Sequence, residues 1–269
     1  MTVGILTPFA GRHEESGLLY LVANYLRHTS SAAGQAIDLV QLRCNGLFSV
    51  CDRDADRDWK RGMHSCLSCA QDQGEHAAWS SVLTVEASPL LPAEVAESTK
   101  RFSALLPSAE LLGVVYEGHP LFEIWRGSFE ARFGSIKPDL SNKQHEQFVR
   151  RLVLSTTRML EVAKRFNNKF QPVLSCVVGC NDYITRAFVA QSALQGRTVA
   201  TFRWELQERL IKIDRSDTKE TVQSELVLEG VTDMRQDVGS WSQPVLEVAE
   251  NIARFLGVQV PQQVMPLHR

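Results

Sequence analysis

Short apolar runs along the chain alternate with longer stretches in which apolar residues recur at helical spacing. The runs Thr2 to Pro8, Ile37 to Leu42 and Val173 to Val178 are typical of buried strands, because each is short and bounded by turn-forming residues. Helical spacing follows the first run, from an N-cap at Ser16 to Gly34. A strand, a helix and a second strand in this order predict a βαβ unit of a parallel sheet.

The third run is also followed by a helix and another strand. Asn181 or Asp182 is expected to cap a helix that ends near Leu194, and Thr198 to Arg203 gives the next strand. This pattern predicts a second βαβ unit. The later part of the chain is expected to add short strands and a terminal helix, which are Leu206 to Ile213, Leu226 to Leu228 and Val245 to Leu256.

The middle of the chain, residues 93–167, is mostly helical in its periodicity, with a turn-like island at residues 116–120. Glu117 and His119 in this island are candidate pocket residues, and a purely structural role is the favoured alternative. The predicted helices are Ala93 to Leu106, Leu121 to Arg132 and Lys143 to Phe166. We therefore expect a single Rossmann-like α/β domain of three layers over residues 1–269. Its sheet is expected to be mostly parallel, with the helical middle segment and a cysteine-rich insertion at residues 44–74.

Composition excludes several classes of protein. With 269 residues and 44% hydrophobic content the chain can bury a large core. Its 29 basic and 31 acidic side chains give no basic surface for nucleic acid, so nucleic acid is not an expected partner. No apolar run has the roughly 20 residues of a membrane-spanning helix, and no secretory signal opens the sequence. These features predict a cytoplasmic protein.

Four cysteines form the most specific motif. Their spacing is Cys44-x6-Cys51-x14-Cys66-x2-Cys69, in which the CxxC pair places two sulfurs on one tight turn. Four thiolates can hold a structural zinc ion or an iron–sulfur cluster. We favour zinc because the loop is hydrophilic and nothing else indicates electron transfer. Unrelated free cysteines are the alternative. His64 is close enough in the sequence to replace one cysteine as a ligand, but a solvated loop histidine is the favoured interpretation.

Two further cysteines adjoin the strand run that ends at Val178. Cys176 is expected to be a core residue, since buried cysteine behaves as a small hydrophobe. Cys180 follows the strand, where open α/β sheets place ligands, so a functional role for it stays open.

Other candidate residues lie in the loops that follow the predicted strands. These loops carry Gly11 and His13, then Asn181 and Asp182, and finally Glu205. His13 is a candidate base, with a solvated loop residue as the alternative. If a nucleotide sugar binds, its diphosphate is expected at a helix N-terminus. The sequence has no GxGxxG, Walker, HExxH or GxSxG motif.

The chain resembles the N-terminal region of bacterial glycosyltransferase-like proteins of capsule and surface-polysaccharide biosynthesis. The resemblance covers about residues 3–205 and includes the C…C…CxxC loop, YEGHPLFEIWRGSFEARFG and VVGCNDYITRAFVAQSALQGRTVATF, followed by Glu205. It implies a GT-B-like fold, with a nucleotide sugar or a glycan acceptor as ligand. By position, the cleft is expected to contain Gly11, His13, Asn181 and Glu205, with His13 or Glu205 as catalytic base.

Residues 206–269 are too few for the donor-binding second domain of a GT-B enzyme. The expectation is an acceptor-side domain, with a truncated relative or another use of the scaffold as alternatives. A second hypothesis is a non-enzymatic metal-binding or interaction module that partners a separate catalytic subunit. A third is an iron–sulfur redox protein.

Overall fold

The computed structural model describes residues 1–6, 23–28, 36–51, 69, 82–179, 181–205, 210–217, 221–225 and 243–257. These ranges contain nine strands, which are β1 (Thr2–Leu6), β2 (Asp38–Arg43), β3 (Leu83–Glu86), β4 (Val115–Tyr116), β5 (His119–Pro120), β6 (Leu174–Val178), β7 (Thr198–Glu205), β8 (Leu210–Arg215) and β9 (Thr221–Glu225).

Seven of these strands form one sheet in the order β3-β2-β1-β6-β7-β8-β9. Neighbours from β3 to β7 are parallel, whereas β8 and β9 are antiparallel additions. The predicted α/β class with a mostly parallel sheet is therefore confirmed, and the order is compatible with a Rossmann-like fold. The chain builds outward from β1 to β3 and then crosses to β6, so the strand order reverses between β1 and β6.

Six helices with more than one described residue accompany the sheet. They are α1 (23–28), α2 (Ala93–Leu105), α3 (Leu121–Phe133), α4 (Lys143–Phe170), α5 (Tyr183–Leu194) and α6 (Gln243–Phe255). Two short 3₁₀ turns precede α2 and α3. None of the described helices combines the length and the apolar character that crossing a membrane requires.

Each face of the sheet packs against its own core. Leu6, Val40 and Val177 point to a core shared with α2, α3, α4 and α5. Val3 and Cys176 point to the opposite core, which α1 and α6 cover. Alternate residues of each strand thus enter opposite cores, which is the pattern of a sheet covered on both faces.

Local capping residues fix the ends of the long helix α4. The side chain of Asn142 accepts a hydrogen bond from the backbone N–H of Gln144 (2.9 Å) at its start. Gln171 ends it in the left-handed conformation, with φ of 45°. The helix extends four residues beyond the predicted Phe166, because Phe166 and Phe170 both pack on the core that α4 shares with the sheet.

The segment between α2 and α3 is a small hairpin of β4 and β5. Its two-residue turn has positive φ at Glu117 (45°) and Gly118 (85°), as a tight hairpin turn requires. The Tyr116 hydroxyl donates to Glu161 on α4 (2.9 Å), and buried His119 bonds Gln191 on α5 (3.0 Å). The Glu117 carboxylate accepts hydrogen bonds from Lys164 on α4, so Glu117 and His119, which the sequence offers as pocket residues, connect the hairpin to the helices.

Several elements differ from the sequence-based predictions. The helices α2, α3, α5 and α6 lie where they were predicted, within one or two residues at each end. The strands β3, β4, β5 and β9 were not predicted. The strand β8 ends at Arg215, two residues after the predicted end at Ile213. The proposed N-cap Ser16 and the proposed strand Leu226 to Leu228 lie outside the described residues.

Candidate functional site

The carboxyl ends of β1 and β6 meet where the strand order reverses, which is where open α/β sheets bind ligands. The loop after β6 contains Gly179, with φ of 73°, and leads through Asn181 and Asp182 into α5. The pairing of β7 with β6 ends at Phe202, and β7 continues past the end of β6 to Glu205 at the same edge of the sheet. Gly11 and His13 lie outside the described residues.

The loop carrying Asn181 is packed tightly on α3. A Cβ atom at Gly127 would lie 2.2 Å from the carbonyl oxygen of Asn181, so only glycine allows this approach. Next to this contact, the backbone N–H of Tyr183 donates to the Ser128 hydroxyl (2.9 Å). The loop is therefore held by backbone and side chain together, and Asn181 is presented as an exposed residue.

Asp182 caps the helix that follows. Its buried carboxylate accepts a hydrogen bond from the backbone N–H of Thr185 (2.8 Å), as the sequence predicts for an N-cap. The carboxylate and the Ser128 hydroxyl thus bond two of the first N–H groups of α5. An anionic diphosphate at this helix end would meet a negative charge, so Asp182 has a structural role in the geometry described.

The first part of the cysteine-rich insertion, residues 44–51, has a defined conformation and is called the cysteine segment below. It begins directly after β2 with a turn in which Asn45 and Gly46 have φ of 44° and 78°. The Asn45 side chain donates to Glu86 (2.9 Å) and to Ser88 (3.0 Å) after β3. The start of the segment is therefore attached to the edge of the sheet.

The far end of the cysteine segment is held by α4 and α5. The backbone N–H of Ser49 donates to the Ser155 hydroxyl (3.1 Å), and the fully buried Tyr183 donates its hydroxyl to the carbonyl of Val50 (2.6 Å). These bonds place Cys44 and Cys51, both partly exposed, at the carboxyl edge of the sheet.

A shallow cleft, too narrow to hold a water molecule, lies beside Cys44 between the strand ends and the helices. Its walls are mostly apolar, and its lining residues are Leu6, Leu42, Arg43, Cys44, Phe48, Ala87, Met159 and Ile184. The cleft thus connects the end of β1, the cysteine segment and the first turn of α5. The carboxyl edge, the cysteine segment and the Asn181 loop form one continuous candidate site.

The metal prediction concerns residues that are only partly described. Cys44, Cys51 and Cys69 are partly exposed, whereas Cys66 and His64 lie outside the described residues. Within the described ranges, no group of three or more His, Cys, Asp or Glu side chains is placed to hold a metal ion. The zinc or iron–sulfur centre therefore stays a prediction.

Cys176 belongs to the core, as the sequence predicts. It is buried in β6, and this burial raises the pKa of its thiol to about 12. A thiol in this environment stays protonated and is a poor metal ligand. Cys180 lies outside the described residues.

Residues that fix the site escaped the sequence analysis. Ser128, Ser155 and Tyr183 lie on helices and bond residues more than 50 positions away in the sequence. Serine and tyrosine are common in helices, so no local pattern indicates these contacts.

Comparison of the chain with models of known protein families, with curated proteins and with solved structures found no match.

Proposed function

We propose that this chain is a glycosyltransferase-like protein of surface-polysaccharide or glycoconjugate assembly, with a domain of the GT-B type. The observation that supports this most directly is the reversal of strand order at β1 and β6, next to the exposed Asn181. The resemblance of residues 3–205 to such proteins names the ligand class, which is a nucleotide sugar or a glycan acceptor.

The reaction requires a base at this edge of the sheet. In glycosyl transfer, an acceptor hydroxyl attacks the anomeric carbon of the sugar, the bond to the nucleoside diphosphate breaks, and the hydroxyl proton passes to the base. His13 or Glu205 is proposed for this role, with Gly11 beside the ligand. Support for Glu205 comes from its backbone position at the carboxyl end of β7.

The test is thermal denaturation with UDP-, GDP- and CMP-sugars, followed by transfer assays with any sugar that stabilises the protein. A ligand present at 100 times its Kd raises the free energy of unfolding by about 2.7 kcal/mol. We expect Asn181→Ala to reduce this stabilisation. Asn251→Ala, an exposed residue on α6 away from this edge, is the matched control. Stabilisation by no nucleotide sugar would reject the proposal.

A second proposed function is a metal-binding or interaction module that partners a separate catalytic subunit. It is supported by the hydrogen bonds of Ser49 and Val50, which hold the backbone near Cys44 and Cys51 in a fixed conformation. Preorganised ligands favour metal binding.

Elemental analysis of anaerobically purified protein, together with an absorption spectrum, tests the metal hypothesis. About one zinc ion per chain in a colourless preparation would support a structural thiolate site. Iron together with visible absorption would support the redox alternative. Replacement of Cys66 and Cys69 by serine is expected to lower the Tm and the metal content together. Unchanged Tm and metal content would reject a four-cysteine centre.

A further inference from the structure

Arg158 occupies a position on α4 where the cleft and the cysteine segment adjoin. Ser155, three residues before it, bonds the cysteine segment through Ser49, and Met159, next to it, lines the cleft. Residues three positions apart are neighbours on a helix surface. Arg158 is therefore a neighbour of Ser155 on the surface of α4 and lies beside the cysteine segment.

The positive charge of Arg158 is not compensated within the described part of the chain. Its Nε–H group is buried and has no hydrogen-bond partner. The carboxylate that follows on the same helix, Glu161, already bonds Tyr116 with one oxygen and Arg165 with the other. Arg151, two turns before Arg158, adds a charge of the same sign on that side of α4.

An unpaired, partly buried guanidinium favours the binding of an anion. A buried donor without an acceptor destabilises the protein, and an anionic acceptor removes that cost. The N-terminus of α5 is a poor alternative for such an anion, because the Asp182 carboxylate already occupies it. A planar guanidinium matches the geometry of a phosphate group and can bond two of its oxygens.

We propose that Arg158 binds a phosphate group of the substrate at the carboxyl edge of the sheet. The inference rests on the proposed function, because every nucleotide sugar carries one or two phosphate groups. It places the phosphate beside α4, next to the cysteine segment that Ser155 bonds. It therefore differs from the expectation that a helix N-terminus holds the diphosphate.

Calorimetric titration with inorganic pyrophosphate at low salt tests this assignment without any sugar. Wild type is compared with Arg158→Gln, Arg158→Lys and the control Arg101→Gln, which removes an exposed arginine that bonds Glu97 on α2. Arg158→Gln is expected to weaken binding about tenfold to a hundredfold, since a hydrogen bond to a charged group contributes about 1.5 to 3 kcal/mol. Arg158→Lys keeps the charge and is expected to weaken binding less.

Several results would overturn the assignment. They are an absence of pyrophosphate binding by wild type, unchanged binding by Arg158→Gln, and equal weakening by Arg101→Gln. Unchanged pyrophosphate binding with a reduced zinc content in Arg158→Gln would assign the guanidinium to the cysteine thiolates instead. Circular dichroism shows whether Arg158→Gln folds. If it does not, the pyrophosphate affinity of Arg158→Lys is the test, because an affinity equal to that of wild type would contradict bidentate binding by the guanidinium.

This test and that of the proposed function can fail separately. Pyrophosphate binding could be lost in Arg158→Gln while nucleotide sugars fail to stabilise wild type. This result would support the phosphate site and reject the glycosyltransferase function. A nucleotide sugar could instead stabilise wild type and Arg158→Gln equally. This result would support the glycosyltransferase function and show that Arg158 does not bind the diphosphate.

Discussion

At residue 127 the space for a side chain is taken by the carbonyl oxygen of Asn181. Glycine in a helix interior normally costs about 1 kcal/mol relative to alanine, so a functional or packing reason is needed for it. Here the reason is the close approach of α3 to the loop after β6, which Gly127 permits.

We expect Gly127→Ala to destabilise the protein by about 1 to 3 kcal/mol, because the added methyl group would have to displace backbone at 2.2 Å. Urea denaturation measures this loss. Gly113→Ala is the matched control, since its nearest neighbour would lie 4.0 Å from the new Cβ atom. Equal or greater stability of Gly127→Ala would show that the loop can move away from α3.

Tyr116 makes stability depend on pH. Burial raises the pKa of its hydroxyl, and the hydrogen bond to Glu161 raises it further. Because the pKa in the folded state lies above the unfolded value, this contribution is fully present below about pH 10 and declines as the pH rises above it.

Chemical denaturation of wild type and Tyr116→Phe between pH 8 and pH 11, a range set by the usual tyrosine pKa of about 10, tests this dependence. At pH 8 the variant is expected to be about 1 kcal/mol less stable, because it lacks the bond to Glu161. The difference should shrink above pH 10. A difference that stays constant across this range would contradict the assignment.

At the scale of elements, the cysteine segment and α5 are connected by one buried hydroxyl. The Tyr183 hydroxyl donates to the carbonyl of Val50, directly before Cys51. The Tyr183 ring packs edge to face with the Phe48 ring, and the two ring centroids are 6.2 Å apart. The same residue bonds Ser128 through its backbone. The position of Cys51 therefore depends on a helix that lies more than 130 residues further along the chain.

Tyr183→Phe is expected to lower stability by about 1 to 3 kcal/mol and to speed the alkylation of Cys51, since the Val50 carbonyl loses its donor. Alkylation by iodoacetamide is followed by mass spectrometry of the Cys51 peptide. Tyr116→Phe removes the same atom from a hydroxyl that bonds Glu161 instead, so it should change stability but leave the Cys51 rate unchanged. Equal Cys51 rates in Tyr183→Phe and wild type would reject the connection.

Local signals explain which elements and site residues the sequence predicts correctly. Asp182 is found as an N-cap because capping involves atoms only three residues apart. The strand β3 was missed because it is a four-residue edge strand whose Leu83 is 59% exposed, so it lacks the apolar run of a central strand. The contacts that fix Cys44 and Cys51 were missed because they join distant parts of the chain.

At the scale of the molecule, α6 covers the core on one face of the sheet. Its buried residues Ala249, Ile252 and Ala253, together with Leu256 directly after the helix, pack in the same core as the strands. Arg215 of β8 donates to the carbonyl of Phe255 (2.7 Å), which attaches the end of the helix to the antiparallel part of the sheet.

Removal of residues 243–269 is expected to expose this core, lower the Tm and increase binding of the dye ANS. A chain that ends at residue 257 retains α6 and serves as the comparison. If both shortened chains bind ANS equally, α6 does not cover the core in solution.

The central position of β1 has a consequence for synthesis on the ribosome. One side of β1 pairs with β2, which follows soon after it, but the other side pairs with β6, which begins only at Leu174. Until that strand has emerged, the nascent chain carries an apolar strand with an unpaired edge, which is prone to aggregate. The distant pairing also predicts slow folding, because loop closure must precede the contact. Production of this protein is therefore expected to benefit from chaperones and from slow translation at low temperature.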